Sequence, residues 1–176
     1  MHRRSVLAGL TAVGLGALPI EQSKPICCVQ DFLPRWVAAK DFTLAVLAAM
    51  PPEGIGFAPS GGEMTFGQIF THLGYFNSFF AAVARGEKTP FTMQRAADKP
   101  DKQSVATYLS DTFDYAIKMF GTLTESDLAT RRQVIPGLIH SGAEMILRAY
   151  MHTAHHRGQA EVYLRLKGIR PPAFVF

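Results

Sequence analysis

The sequence contains little cysteine, and what it has is poorly placed to hold a fold together. Its 176 residues include two cysteines, the adjacent Cys27 and Cys28. A disulfide between neighbouring residues would close a strained ring, so we predict no structural disulfide between them. We leave their role unassigned: a loose linker is the leading interpretation, and intermolecular pairing or oxidation in an oxidising compartment is the alternative. The composition therefore excludes a small scaffold stabilised by disulfides.

Long apolar runs and a strong charge of one sign are also absent. The longest apolar run covers about 13 residues from Val6 to Leu18, short of the roughly 20 that cross a bilayer as a helix. We therefore predict no membrane span in the mature protein. The 18 Lys and Arg residues against 14 Asp and Glu leave a net charge of +4. Because the basic residues are scattered, the sequence gives no support for nucleic-acid binding.

The first 26 residues have the layout of an export signal followed by a linker. Arg3 and Arg4 give a basic start, the apolar run follows, and polar residues come after it. Two arginines, one further residue and then Val6 and Leu7 match the twin-arginine (Tat) pattern of bacterial export. A general secretory leader that begins with two arginines is the alternative. Either signal predicts an exported, periplasmic protein.

Residues 27–176 are enough for one domain with a full-sized core. Apolar residues recur there at helical spacing, and residues that cap or stop helices flank them, such as Thr65 and Gly86 or Ser141 and Gly168. The pattern predicts an all-α fold, a four-helix bundle. The predicted helices cover residues 31–50, 65–85, 101–123 and 142–167.

The connection before the last helix is short and contains few signals. Thr124 and Asp127 have the spacing of a capping box and predict a short helical turn. Pro136 and Gly137 interrupt the apolar stretch that follows. We predict a tight connection here and no strand of a sheet.

The strongest chemical signal is a group of histidines in the fourth predicted helix. Residues four apart lie on one face of a helix, so His152 and His156 could share a metal ion. His155 lies three residues after His152 and competes with His156 for that role. His72, on the apolar face of the second predicted helix, is the candidate third ligand. One divalent cation would satisfy all three imidazoles, whereas each buried and unsatisfied group would cost about 1–3 kcal/mol.

Four further polar side chains follow the histidines along the same sides of their helices. They are candidates to hydrogen-bond a metal ligand or a substrate, with capping and packing as the alternative. These residues are Gln68 and Tyr75 in the second helix and Gln159 and Tyr163 in the fourth. Arg157 is expected to face a carboxylate of a neighbouring helix.

About residues 31–172 resemble the DinB superfamily. The resemblance rests on the stretch 66–72 after a Gly- and Pro-rich crossing, and on the His-x-x-x-His-Arg-Gly-Gln block at 152–159. It implies an up-down-down-up four-helix bundle with a divalent metal, often zinc or nickel, and it favours His156 over His155. The ligands that the resemblance implies are His72, His152 and His156.

Better characterised relatives are S-transferases that use low-molecular-weight thiols, so the resemblance implies a small-molecule substrate, with a thiol as the leading candidate. Three histidine nitrogens leave an open position on a zinc ion, where a bound thiol or water would become more acidic. Zinc proteases place a glutamate between paired histidines, but Thr153, Ala154 and His155 occupy those positions here. Thiol transfer is therefore favoured over hydrolysis, although an exported chain departs from mostly cytoplasmic relatives.

A non-catalytic role is the other class of function that the sequence leaves open. The metal could hold the bundle together, or the protein could respond to metal availability. A homodimer formed through exposed faces of the first two helices is compatible with either class.

Overall fold

The computed structural model describes residues 29–94 and 101–174, and these residues are mostly helical. Four long helices and one short helix carry the fold, with a short 3-10 helix at Pro52–Gly54 and a two-stranded antiparallel sheet between the last two helices. In chain order the elements are α1 Val29–Ala49, α2 Phe66–Arg85, α3 Lys102–Gly121, α4 Glu125–Ala129, β1 Arg131–Ile135, β2 Leu138–Ser141 and α5 Gly142–Leu166.

Local capping residues define the ends of α2 and the start of α5, the two helices that carry the candidate histidines. At the start of α2, Gln68 N–H donates to Thr65 Oγ1 at 3.3 Å, and Thr65 N–H donates to Gln68 Oε1 at 2.8 Å. This reciprocal pair is a capping box, and Ser141 with Glu144 forms another at the start of α5. Gly86 ends α2 with φ +78°, a conformation that glycine adopts without steric cost. The predicted ends of α2 are confirmed.

The core forms where the long helices pack on one another. α2 packs against α3 and α5, and α1 packs against the same two helices. Between α1 and α3, Trp36 contacts Phe113 and Phe120 with ring centroids 5.2 and 5.6 Å apart, and all three side chains are fully buried. Gly74 allows α2 to approach α3, because a Cβ atom there would lie 2.7 Å from Thr112 Oγ1.

The segment before α5 forms a β-hairpin, so the prediction of a connection without strands was wrong. β1 pairs with β2 in antiparallel register, with Arg132 opposite His140. Pro136 and Gly137 make the turn, and Gly137 has φ +80°, which suits glycine. Arg132 Nη1 donates to the Ala84 carbonyl oxygen at 2.8 Å and so holds the hairpin against the end of α2.

The proposed leader and the linker cysteines are not part of this description. Arg3, Arg4, Cys27 and Cys28 lie outside the described residues. Among the residues that are described, no helix combines the length with the apolar character that a membrane crossing requires.

Candidate metal centre

Helix α5 presents two histidines on successive turns. The helix continues from its capping box at Ser141 to Leu166 without a proline, so the regular spacing of 3.6 residues per turn is kept. His152 and His156 therefore lie on the same side, and their ring centroids are 4.4 Å apart.

His72 joins this pair from α2. Its Nε2 atom lies 3.2 Å from Nε2 of His152, and its ring centroid lies 4.6 Å from that of His156. One ring nitrogen of each histidine falls within 4.8 Å of the other two. The packing of α2 on α5 thus brings together His72 and His152, which are 80 positions apart in the sequence.

The distances between these nitrogens are compatible with a divalent ion. Zinc binds imidazole nitrogens at about 2.0–2.1 Å, and tetrahedral angles then separate two ligand nitrogens by roughly 3.3 Å. The 3.2 Å between the Nε2 atoms of His72 and His152 is close to that value. With His156 in the same cluster, the chain offers three nitrogen donors, and a tetrahedral ion would keep a fourth position for another ligand.

Burial keeps the three imidazoles neutral at neutral pH. Burial, and secondarily the charges that neighbouring histidines would carry, lower the pKa of His152 to about 3. Burial lowers the pKa of His156 to about 4, although its hydrogen bond to Gln159 opposes this shift. Burial also lowers the pKa of His72. Because a metal binds the neutral form of imidazole, these side chains are already in the protonation state of ligands.

Gln159 orients the ring of His156. Nδ1 of His156 donates to Oε1 of Gln159 at 2.8 Å. Since the proton then lies on Nδ1, the lone pair of this imidazole lies on Nε2. Histidines that bind metals commonly donate their second ring N–H to an oxygen in this way, which fixes the ring in place.

Aromatic rings enclose one side of the cluster. The ring centroid of Phe76 lies 4.7 Å from that of His72 and 5.1 Å from that of His152, and Phe80 lies 5.7 Å from His152. Nδ1 of His152 is buried and has no hydrogen-bond partner within residues 29–94 and 101–174. The aromatic side excludes water and so contributes to the low pKa of His152.

The other three predicted outer residues have structural contacts. Gln68 belongs to the capping box of α2. Tyr163 donates its hydroxyl hydrogen to the Met64 carbonyl oxygen at 3.1 Å. Tyr75 stacks on Phe79 with ring centroids 6.1 Å apart. These contacts are the capping and packing roles that the sequence left open as the alternative.

His155 lies outside the cluster of three. Its side chain is exposed, and its ring centroid is 4.9 Å from that of His156. The structure therefore brings together the residues four apart, His152 and His156, rather than the pair three apart.

Two buried polar residues of α5 next to the histidines make contacts that the sequence analysis did not predict. Thr153 donates its hydroxyl hydrogen to Oδ1 of Asn77 at 3.0 Å, and both side chains are buried. The Arg157 guanidinium lies 4.5 Å from the ring centroid of Phe42 and donates to Thr43 Oγ1 at 3.5 Å. Arg157 thus faces α1, and the predicted carboxylate of a neighbouring helix was wrong.

One sequence signal could have identified both residues. Thr153 and Arg157 are four apart and continue the spacing of Ala149, Ala160 and Leu164, which form the buried side of α5. A threonine and an arginine at such positions indicate polar contacts inside the core.

Comparison with known proteins agrees with this fold. The family model of the DinB superfamily matches residues 35–160. A DinB-like protein from Bacillus cereus has a similar structure, with a TM-score of 0.70 and 19% sequence identity over 83% of this chain and 97% of that one. A DinB-like protein from Bacillus subtilis is also similar, with a TM-score of 0.67 and 18% sequence identity over 81% of this chain and 95% of that one. Among curated proteins none shows significant similarity. The chain belongs to the DinB superfamily.

Proposed function

We propose that this protein is an exported four-helix bundle of the DinB type that binds one divalent metal ion, zinc or nickel. His72, His152 and His156 would hold the ion. The site would activate a thiol for reaction with a small molecule, and activation of a water molecule is the less favoured reaction. The observation that carries the proposal is the convergence of three ring nitrogens from two helices to within 4.8 Å. Helices α1, α2, α3 and α5 would form the bundle.

The roles of the chain's own residues follow from their positions. One ring nitrogen of each histidine lies within 4.8 Å of the other two, so the three neutral imidazoles would direct their lone pairs to a shared ion. Gln159 accepts from Nδ1 of His156 and would hold that ring in the required orientation. Phe76 excludes water from one side of the cluster. A bound divalent ion would supply Lewis acidity that lowers the pKa of a thiol or water in the remaining position.

The make-up of the cluster favours a thiol over water as the nucleophile. Among the described residues, no carboxylate belongs to the histidine cluster, so the cluster itself contains no general base of the kind that zinc proteases use. A thiol with a pKa of about 8.5 needs much less assistance to ionise than water, whose pKa is about 15.7. We therefore propose S-transfer to a small electrophile, with hydrolysis as the less favoured reaction.

The enclosure of the histidines favours a second candidate function, a metal site that only stabilises the fold. Phe76 and Phe80 pack on the imidazole rings, as expected where a site is closed to substrate. A structural ion would cross-link α2 and α5 without turnover.

Export is part of the proposal. Its support is the Arg3-Arg4 pattern in the sequence, together with the family match, which begins at residue 35, downstream of the proposed leader. A periplasmic location would require a thiol that is available outside the cytoplasm.

Metal analysis of the exported protein, followed by activity assays, tests these functions. About one divalent ion per chain is expected, and thiol-dependent consumption of small electrophiles should disappear in His152→Ala. Ester cleavage without an added thiol would select the hydrolase instead. About one bound ion per chain, with no turnover in the thiol assay or in the ester assay, would select the structural role. The absence of any bound divalent ion would reject the proposal.

A further inference from the structure

Aromatic side chains continue outward from the histidine cluster along α2. The ring of Phe76 contacts those of His72 and His152, and its centroid lies 5.3 Å from that of Tyr75 and 5.9 Å from that of Phe79. We call Tyr75, Phe76 and Phe79 the aromatic wall. Because they follow His72 by three, four and seven positions, the wall begins at the cluster and extends over two turns of the helix.

The rings of the aromatic wall hold one another in place. Tyr75 and Phe79 are stacked, with an angle of 17° between their planes. The ring of Phe76 stands nearly perpendicular to both, at 87° and 79°. A surface that is already ordered needs little rearrangement when a ligand binds, so less affinity is lost to ordering. Aromatic rings also attract a further ring by stacking and by edge contacts.

The aromatic wall connects the histidine cluster with solvent. Its three side chains are partly exposed, and so are His72 and His152. Phe80 closes the core side of the cluster and is only 6% exposed. The cluster is therefore sealed toward the core but reaches the surface beside Phe76, and a ligand that lies on the wall would lie next to the histidine rings.

The exposed area of the wall suits a small molecule rather than a protein. Fully covered aromatic side chains bury about 150–250 Å² each. Since all three wall residues are already partly buried, roughly 300 Å² at most stays exposed. A specific protein partner covers about 800 Å² on each side. One substituted aromatic ring matches the area that the wall offers.

The charges of α2 indicate that the body of this ligand is neutral. From Phe66 to Ala84 the helix contains no Asp, Glu, Lys or Arg, and Arg85 is its last residue. A charged group on the wall would lose hydration without gaining an ion pair from α2. A neutral aromatic group loses little hydration and gains contact with the rings.

We infer that the aromatic wall binds the ring of the electrophile, and that this electrophile is a neutral benzyl compound with a leaving group such as a halide. The inference rests on the proposed function, which supplies the thiol. In the reaction, the thiol gives its proton to solvent and its sulfur attacks the carbon next to the ring. A C–S bond forms, the bond from carbon to halogen breaks, and the halide leaves with the bonding electron pair. The wall holds the ring beside the cluster and so places the reacting carbon near the sulfur.

Calorimetric titration of the zinc-loaded exported protein with benzyl mercaptan and with ethanethiol tests the wall without turnover. Benzyl mercaptan carries its sulfur and its ring as they stand in the product. The wild type should bind it roughly tenfold more tightly than ethanethiol, because the ring adds contacts with the wall. Phe79→Leu and Tyr75→Leu should each lose most of this preference. Phe32→Leu, which changes a partly exposed ring of α1, should keep it.

The same variants extend the test to the reaction with an added thiol. Phe79→Leu should lower the ratio of kcat/KM for benzyl bromide to kcat/KM for iodoacetamide by roughly 3- to 10-fold, since iodoacetamide has no ring. Phe32→Leu should leave this ratio unchanged. Circular dichroism and elemental analysis check that each variant keeps its fold and its ion.

The outcomes separate the inference from the proposed function. Equal binding of the two thiols by the wild type, a preference that Phe79→Leu and Tyr75→Leu both retain, or an unchanged kinetic ratio in Phe79→Leu would overturn the inference and leave the proposed function standing. If the zinc-loaded protein binds neither thiol, the proposed function fails and the inference fails with it.

Discussion

Thr153 and Asn77 form a buried hydrogen bond between α5 and α2, with a distance of 3.0 Å between the threonine hydroxyl and Oδ1 of the amide. Thr153 directly follows His152 in the sequence, and both partners are fully enclosed by the core. A directional bond at this position fixes the register of one helix against the other. The approach of His152 to His72 depends on that register, so the pair helps to position the histidine cluster.

Replacement of Thr153 by valine tests this role. Valine has nearly the same shape but cannot donate, and Nδ2 of Asn77 already has no partner among the described residues. The unpaired amide should lower the free energy of unfolding by about 1–3 kcal/mol. Urea denaturation measures the change, and Thr107→Val on the exposed side of α3 should stay within about 0.5 kcal/mol of the wild type. Equal effects would show that the Thr153 bond contributes nothing specific.

His152→Ala should remove most divalent metal binding, because a two-histidine remnant lacks the third nitrogen donor. His140→Ala is the matched control, since His140 lies in the hairpin, 3.2 Å from a carboxylate oxygen of Glu144. Elemental analysis after dialysis should give about one ion per chain for the wild type and for His140→Ala. Comparable losses in both variants would contradict the assignment of the site.

Gln159→Ala should weaken metal binding without abolishing it. The substitution removes the acceptor that orients His156, and the loss of such an outer contact typically costs 10–100-fold in metal affinity. Competition with a chromogenic chelator measures the affinity. Gln133→Ala, on the exposed side of β1, should leave the affinity unchanged. If the metal affinity of Gln159→Ala equals that of the wild type, Gln159 does not contribute to metal binding.

The metal-free protein should lose stability as the pH falls below about 6.5. The pKa of His152 is about 3 and that of His156 about 4 in the folded chain, against about 6.5 when unfolded. Between these values the unfolded state binds more protons, so the free energy of unfolding decreases with falling pH, by at most about 1.4 kcal/mol per unit for each histidine. Denaturation between pH 7 and 4 should show a smaller slope in His152→Ala, and identical slopes would contradict this origin.

Replacement of Arg3 and Arg4 by two lysines should abolish export if the twin-arginine route is used, because that route reads the arginine pair itself. Cell fractionation followed by immunoblotting measures the exported fraction. Continued export of the lysine variant would identify a general secretory leader, which requires only a basic start.

Much of the helical architecture could be predicted because its signals are local. Thr65 and Ser141 carry capping boxes, and Gly86 adopts the left-handed conformation that ends α2, so these boundaries are readable from a few residues. The hairpin was missed because Pro136 and Gly137 break the segment into pieces too short for a clear strand pattern. Its position depends instead on the contact of Arg132 with α2, a long-range interaction.

The histidine cluster was likewise predictable only in part. The spacing of His152 and His156 is a property of any helix, so their common face followed from the sequence. The choice of His156 over His155 needed the resemblance to a known family, because spacing alone left both open. The role of Gln68 could not be predicted, since the same amide could reach His72 or cap α2, and the structure shows the cap. Arg157 was misplaced because its apolar partner Phe42 lies on a distant helix.

An ion shared by His72 and His152 would close a loop of 80 residues. Such a cross-link restricts the conformations of the unfolded chain only while the ion stays bound. The stabilisation that results from closing a loop grows slowly with the length of the loop. An excess of free metal at about 100 times its dissociation constant would add about 2.7 kcal/mol to the free energy of unfolding. The thermal midpoint of this protein should therefore follow the metal concentration of its surroundings.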